Sequence, residues 1–183
     1  FSIPQTSVLI NVEFILKKFL ILYCSRNKSK KRTTLSFFCP NNKLLSSVIS
    51  SSFVLKEKVY IGPEKRDKVY YIVGRLKKEK LTETAKIQLQ DFIMQVVGEQ
   101  EKKFIDFFNN SQAINTRLHQ LELLPGFGRK HTDEILEARK DKPFKSFKDI
   151  KGRVSSIPDP KKAVEKRILE EILENPRHTI FVY

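Results

Sequence analysis

The sequence predicts an α+β fold: a small, basic, strand-rich part followed by an all-α part made of two helical hairpins. Three observations lead there. Residues 53–75 hold short runs of β-branched and aromatic residues between turn signals. Residues 81–110 carry apolar residues at the helical period. Residues 123–130, Leu-Leu-Pro-Gly-Phe-Gly-Arg-Lys, join two apolar-periodic segments through a Pro-Gly turn. The expected division is a strand-rich basic domain over 1–80, connecting helices over 81–114, a helical domain over 115–175 and a tail over 176–183. A chain of 183 residues is long enough for one or two domains with a real core.

The first 52 residues carry eight Lys/Arg and one acid, Glu13. They are rich in Ser, Phe and Asn and show no clear period, so their structure is left open. Val8 to Tyr23 is apolar, but Glu13, Lys17 and Lys18 interrupt it, and it falls short of a membrane-spanning run. No basic n-region or clean cleavage site marks a signal peptide. Two buried strands or one amphipathic helix fit this stretch. Arg26 to Arg32 is a basic run best read as a solvated loop.

From Phe53 the pattern sharpens. Phe53–Leu55 and Val59–Ile61 read as short strands, Gly62-Pro63 as a turn, and Val69–Val73 as a strand ended by Gly74. Lys58, Lys65, Arg66, Lys68 and Arg75 bracket these strands, with Tyr60, Tyr70 and Tyr71 among them. Aromatics interleaved with cations suit stacking of unpaired bases, as on an OB-type barrel, although strand tyrosines more often pack half-buried. Over 81–110, Ala85, Leu89, Phe92, Ile93, Val96 and Val97 give one helical face, Gly98 weakens the helix, and Phe104, Ile105, Phe107 and Phe108 form a second apolar cluster closed by Asn109-Asn110-Ser111. This aromatic density reads as core.

The hairpin at 123–130 carries the chemistry. Helical segments are expected over Thr116–Leu124 and Arg129–Lys140. Two glycines flanking Phe127 permit a tight turn, and Phe127 is expected inward. The amides of Gly126, Gly128 and the first turn of the second helix then face solvent, where the helix dipole favours an anion such as phosphate. Arg129 and Lys130 add charge there, and Gly128 is expected to need either positive φ or a close backbone approach. This string resembles the helix-hairpin-helix motif, which in its family grips a nucleic-acid backbone without reading sequence. Arg117, His119 and His131 flank it as additional candidate contacts, with His119 equally placed to face the core. Further on, Ser146 and Asp149 suggest a reciprocal N-cap for a short helix to about Val154. Ser155 to Pro160 turns the chain into a last helix, Lys161–Leu173. This second hairpin lacks the glycines and is expected to contribute core instead of phosphate contacts.

Residues from about Lys58 to Leu173 resemble an archaeal family of uncharacterised, predicted RNA-binding proteins. The strings are Glu57 to Gly62, Arg66 to Val69, Leu81-Thr82 with Thr84-Ala85-Lys86, Asn115 through Gly128, Lys142-Pro143-Phe144 through Ile150, and Pro158-Asp159-Pro160. The resemblance implies a small OB-like β-barrel followed by a tandem helix-hairpin-helix domain, a cytoplasmic location and a nucleic-acid partner, RNA favoured over DNA. Residues 1–52 do not resemble the family's first barrel strands.

The net charge of +14 points the same way, to a partner of dense negative charge. Cys24 and Cys39 show neither disulfide-framework nor metal spacing, so no metal is expected. No carboxylate cluster, nucleophile arrangement or GxxxxGK[ST] loop appears, so no catalytic residue and no cofactor are expected. The runs Glu99-Gln100-Glu101 and Glu170-Glu171 read as solvated helix faces. The expected function is non-enzymatic nucleic-acid binding. The alternatives are a protein-interaction adaptor in a ribonucleoprotein or polymerase assembly, or a DNA-repair or recombination accessory.

Overall fold

The computed structural model describes backbone structure for residues 19–27, 32–38, 44–49, 58–59, 69–75, 78–174 and 176–182, and side chains from residue 78 onward, Lys80, Asn175 and Tyr183 excepted. The described residues form an α+β fold whose compact units divide inside the first long helix, between Phe92 and Ile93. One unit comprises 93–171 with 176–181. The other comprises the strands through residue 92, with 172–174 and 182.

Five strands build the sheet of the second unit: β1 (Phe19–Asn27), β2 (Arg32–Phe38), β3 (Leu44–Ile49), β4 (Lys58–Val59) and β5 (Val69–Arg75). Their order is β4-β1-β2-β3-β5, and every pairing is antiparallel. The register sets Asn27 opposite Arg32, Phe38 opposite Leu44, and Ile49 opposite Val69, while β4 returns to the free edge of β1 with Phe19 opposite Val59.

Two expectations change here. Three strands lie inside the first 52 residues, where no period was legible, and the basic run is partly strand: Arg26 and Asn27 end β1 and Arg32 begins β2. Gly74 does not end its strand. It lies inside β5 opposite Ser46, where the β3–β5 register shifts, the usual meaning of a glycine within a strand. Phe53–Leu55, Tyr60 and the Gly62-Pro63 turn lie outside the described residues.

Helix α1 (Glu83–Glu99) buries Ala85, Leu89, Ile93 and Val97, the face its period predicts. Its start is held by the Thr82 hydroxyl, which accepts from the Ala85 amide at 3.3 Å. The chain breaks at Gln100, not at Gly98, and continues as α2 (Glu101–Asn110). Phe104, Ile105, Phe107 and Phe108 are buried, as the cluster predicts.

The segment Thr116–Leu124 is not an α-helix. Residues Ala113–Asn115 (β6) and Leu118–His119 (β7) form a two-stranded antiparallel ribbon, followed by a single 3₁₀ turn at Gln120–Leu123. Local polar groups decide this. The Asn115 side-chain oxygen accepts from the Arg117 amide at 2.9 Å and closes the ribbon's turn. His119 Nδ1 accepts from Leu121 N at 3.1 Å, and Glu122 Oε1 accepts from His119 N at 3.0 Å, which caps the short turn from both sides. Pro125 then holds Leu124 extended (φ −76°, ψ 131°).

Beyond the glycines run α3 (Arg129–Asp141), α4 (Phe147–Arg153) and α5 (Pro160–Glu174). Ser146 caps α4 as expected, accepting from Asp149 N at 3.1 Å, but the Asp149 carboxylate accepts from Lys145 N (3.0 Å), one residue before the predicted partner.

Phe104, Phe107, Phe108, Phe127, Phe147 and Phe181 form the core of this unit, mostly in edge-to-face pairs with centroids 5.1–6.4 Å apart. Phe181 shows that the C-terminal stretch is more than a trailing tail: Ile180, Phe181 and Val182 are all buried. A buried carboxylate fixes that stretch. Glu171, expected on a solvated face, is only 1% exposed and accepts from Arg167 Nε (2.8 Å), Ile180 N (2.8 Å) and Phe181 N (2.9 Å). Arg167, itself buried, also donates to the His178 carbonyl.

Candidate nucleic-acid interface

The candidate site is the turn between the 3₁₀ segment and α3. Leu124 and Phe127 anchor it, 1% and 4% exposed, and the Phe127 amide donates to the Leu124 carbonyl at 3.0 Å. The Phe127 ring lies 6.2 Å from that of Phe108 and 6.3 Å from that of His131. Phe127 is therefore the inward pin its flanking glycines suggested.

The two glycines do different jobs. Gly126 sits at φ +86°, and a Cβ there would come within 3.2 Å of Pro158 Cγ. This left-handed position requires glycine. Gly128 does not share the requirement. Its φ of −98° and ψ of −179° are open to any residue, and nothing lies within 4 Å of the place its Cβ would occupy. Of the two alternatives expected at Gly128, positive φ belongs to Gly126 instead, and open space for a close approach is what remains at Gly128.

Gly128 is the N-cap of α3 and offers no side-chain cap. The first helical hydrogen bond runs from Thr132 N to the Gly128 carbonyl (3.0 Å), so the amides of Arg129, Lys130 and His131 precede the ladder. The first turn holds no acidic residue, and Arg129 and Lys130 are exposed in it. Cations at this end oppose the helix dipole, whereas Arg139 and Lys140 at the other end complement it. The neighbouring helix starts differ. Ser146 caps α4, and on α5 Asp159 Oδ1 accepts from Lys161 N (3.0 Å) and Lys162 N (3.3 Å), placing a carboxylate where an anion would otherwise sit.

His131 Nδ1 lies 3.1 Å from the Gly126 carbonyl and 3.5 Å from Gly128 N. Nδ1 serves one of the two at a time: protonated, it donates to the Gly126 carbonyl; unprotonated, it accepts from the Gly128 amide and covers that donor. His119 is elsewhere. It is buried and spends Nδ1 on the 3₁₀ cap, and burial, reinforced by the Arg139 charge, holds its pKa below the ordinary histidine value. A buried neutral imidazole already used as an acceptor is no phosphate ligand, so His119 belongs to the structural frame. Arg117 is exposed at the ribbon turn. Lys58 lies in β4 and Arg75 ends β5, whereas Lys65, Arg66 and Lys68 fall outside the described residues.

Arg139 has no counterpart in the sequence reading. Its guanidinium donates to the Phe108 carbonyl (3.2 Å), the Ser111 carbonyl (3.0 Å) and the Ser111 hydroxyl (3.1 Å), tying α3 to the end of α2. Nothing in the sequence separates it from Arg129 or Lys140.

A family model described as "Protein of unknown function (DUF655)" matches residues 14–183. The chain belongs to this family. The match begins far upstream of Lys58 and takes in β1, β2 and β3, which corrects the expectation that the first 52 residues stand apart. An uncharacterized protein of Methanocaldococcus jannaschii, MJ0038, is 40% identical over 129 residues, 70% of this chain; the matched stretch spans 58% of that relative's length. The crystal structure of Af1531 from Archaeoglobus fulgidus, described with the same family model, is 36% identical at a TM-score of 0.76, covering 91% of this chain and all of the other. Both relatives are archaeal and uncharacterised. Among the described residues, no group of three or more His, Cys, Asp or Glu is placed to hold a metal ion, and no helix is long and apolar enough to cross a membrane.

Proposed function

We propose that this chain is a non-enzymatic nucleic-acid-binding protein that holds a phosphate backbone, RNA in preference to DNA, at the start of α3. One observation carries this most directly. Of the three helices α3, α4 and α5, α3 alone begins on a glycine with open space beside it, no side chain at its N-cap to accept from the first turn, no acid in that turn and two exposed cations, while the others are capped by Ser146 and Asp159. A helix start left in that condition costs stability and suits an incoming anion.

In this reading the 3₁₀ turn, Gly126–Gly128 and α3 act as a helix-hairpin-helix whose first arm is shortened. The second hairpin, α4 to α5, repeats its buried anchors, with Val154 and Ile157 in the roles of Leu124 and Phe127, and contributes core only. The strand order β4-β1-β2-β3-β5 supports an OB-like barrel, a fold whose strand face suits single-stranded nucleic acid. Its basic strands would be a second contact surface, and a cytoplasmic location would accord with such a role. The net charge of +14 favours the same class of partner.

The test is a titration of one labelled oligonucleotide, as RNA and as DNA, at several salt concentrations. Affinity that falls linearly on a log–log plot, stronger for RNA, is expected. Absence of binding even at low salt would transfer the surface to a protein partner.

A further inference from the structure

We propose that the β6–β7 ribbon reads bases of the nucleic-acid strand whose backbone rests on the α3 start; this builds on the binding function proposed above. Six successive residues, Gln112 to Arg117, are exposed, and none of them is acidic. Ile114, 37% exposed, is an apolar group on this solvated ribbon. Two strands alone are marginal in water, so a ribbon this short needs fixing from outside. Its base is fixed. Gln120 N donates to the Gln112 carbonyl (3.1 Å), Gln112 N donates to Gln120 Oε1 (2.9 Å), and Arg139 grips Ser111 just before it. The stem is held, while the exposed side chains of Ile114, Thr116 and Arg117 make no hydrogen bond, ion pair or ring contact among the described residues.

The ribbon runs without a break into the glycine turn. His119 ends β7 and caps the 3₁₀ segment, which leads through Pro125 to Gly128. Arg139 lies ten residues beyond Arg129 on α3, so the ribbon base is roughly 15 Å along the helix axis from the helix start. A strand seated on the amides could reach the ribbon within a few nucleotides.

The chemistry of the two places differs in the required way. Amides and cations at the α3 start recognise phosphate, which carries no sequence information. The Gln112 carboxamide and Thr116 hydroxyl both donate and accept, as base edges and ribose hydroxyls do, the Arg117 guanidinium donates to base acceptors, and Ile114 offers an apolar contact to a base face. Asn115 is different, because its oxygen is committed to the turn.

The experiment compares the full chain with a Thr116→Ala/Arg117→Ala variant against four homopolymer oligonucleotides, each as RNA and as DNA. Both residues are exposed, so matching thermal unfolding is expected. The parent should prefer one base, and the variant should lose that preference by roughly tenfold or more. The RNA and DNA arms show whether the ribose hydroxyl is part of the recognition. A parent that binds every homopolymer alike, or a variant that weakens all of them equally, overturns base reading while leaving phosphate binding intact. A parent that binds none removes both proposals together.

Discussion

Replacing Gly126 and Gly128 in turn by alanine separates the backbone requirement of this turn from its binding role. At Gly126 (φ +86°) a side chain meets left-handed strain of about 1–3 kcal/mol, and its Cβ would also press on Pro158 at 3.2 Å. For a chain of this size that lowers Tm by roughly 3–10 °C. At Gly128 the backbone is extended and the space empty, so the loss of a favourable N-cap glycine and the gain from a stiffer unfolded chain nearly cancel, leaving about 0.5 kcal/mol either way. Affinity should report the reverse. Gly128→Val places a branched group where a phosphate oxygen would meet the amides, and loss of one charge-assisted hydrogen bond is about tenfold or more in Kd. Gly152→Val is the matched control, since that glycine too has open space around it. Differential scanning calorimetry and fluorescence anisotropy give the two readouts. Equal Tm losses at Gly126 and Gly128 would refute the backbone assignment. A folded Gly128→Val protein that binds like its parent would refute the phosphate turn.

Two further outcomes concern buried polar groups. Glu171→Ala leaves Arg167 and the amides of Ile180 and Phe181 without their shared acceptor, and breaking a buried pair of this kind costs about 3–5 kcal/mol. Urea unfolding should show it, and a loss below about 1 kcal/mol would mean the C-terminal stretch is not held as described. His119, with its folded pKa depressed by burial and by Arg139, contributes stability that is complete above its unfolded value near 6.5 and is lost as pH falls toward its lower folded value. An NMR titration midpoint for His119 below about 6.5 is expected, and a midpoint above it would contradict the cap.

Much of the helical architecture was legible because long apolar periods leave few alternatives. Ala85 to Val97 on α1, the inward Phe127 and the Ser146 cap all follow from spacing and residue type. What the sequence hid depended on side-chain hydrogen bonds with several competing uses. Asn115, His119 and Glu122 turn a helical-looking segment into a ribbon and a 3₁₀ turn, a choice between propensities of nearly equal strength that local polar groups decide. Glu171 looked like one acid in a charged helix, and only the returning chain at Ile180 and Phe181 makes it a buried acceptor. The pair of glycines was visible, but not which one turns at positive φ: it is Gly126, where Pro158, 32 residues on, also crowds the space a Cβ would take. Strands β1 to β3 escaped because adjacent polar residues, Ser25-Arg26-Asn27, Thr33-Thr34 and Ser46-Ser47, break their alternation.

The central claim is that uncapped amides and two exposed cations at the α3 start hold phosphate. The most direct measurement is the salt dependence of RNA affinity for the parent chain and for an Arg129→Ala/Lys130→Ala variant. The parent should lose affinity linearly in log salt, with a slope of about −0.7 to −0.9 for each phosphate neutralised. The variant should bind more weakly, with a slope shallower by roughly 1.4 to 1.8, and should unfold no earlier than the parent because its lost charges opposed the helix dipole. An unchanged affinity and slope, accompanied by a lower Tm, would contradict the account and make Arg129 and Lys130 structural residues.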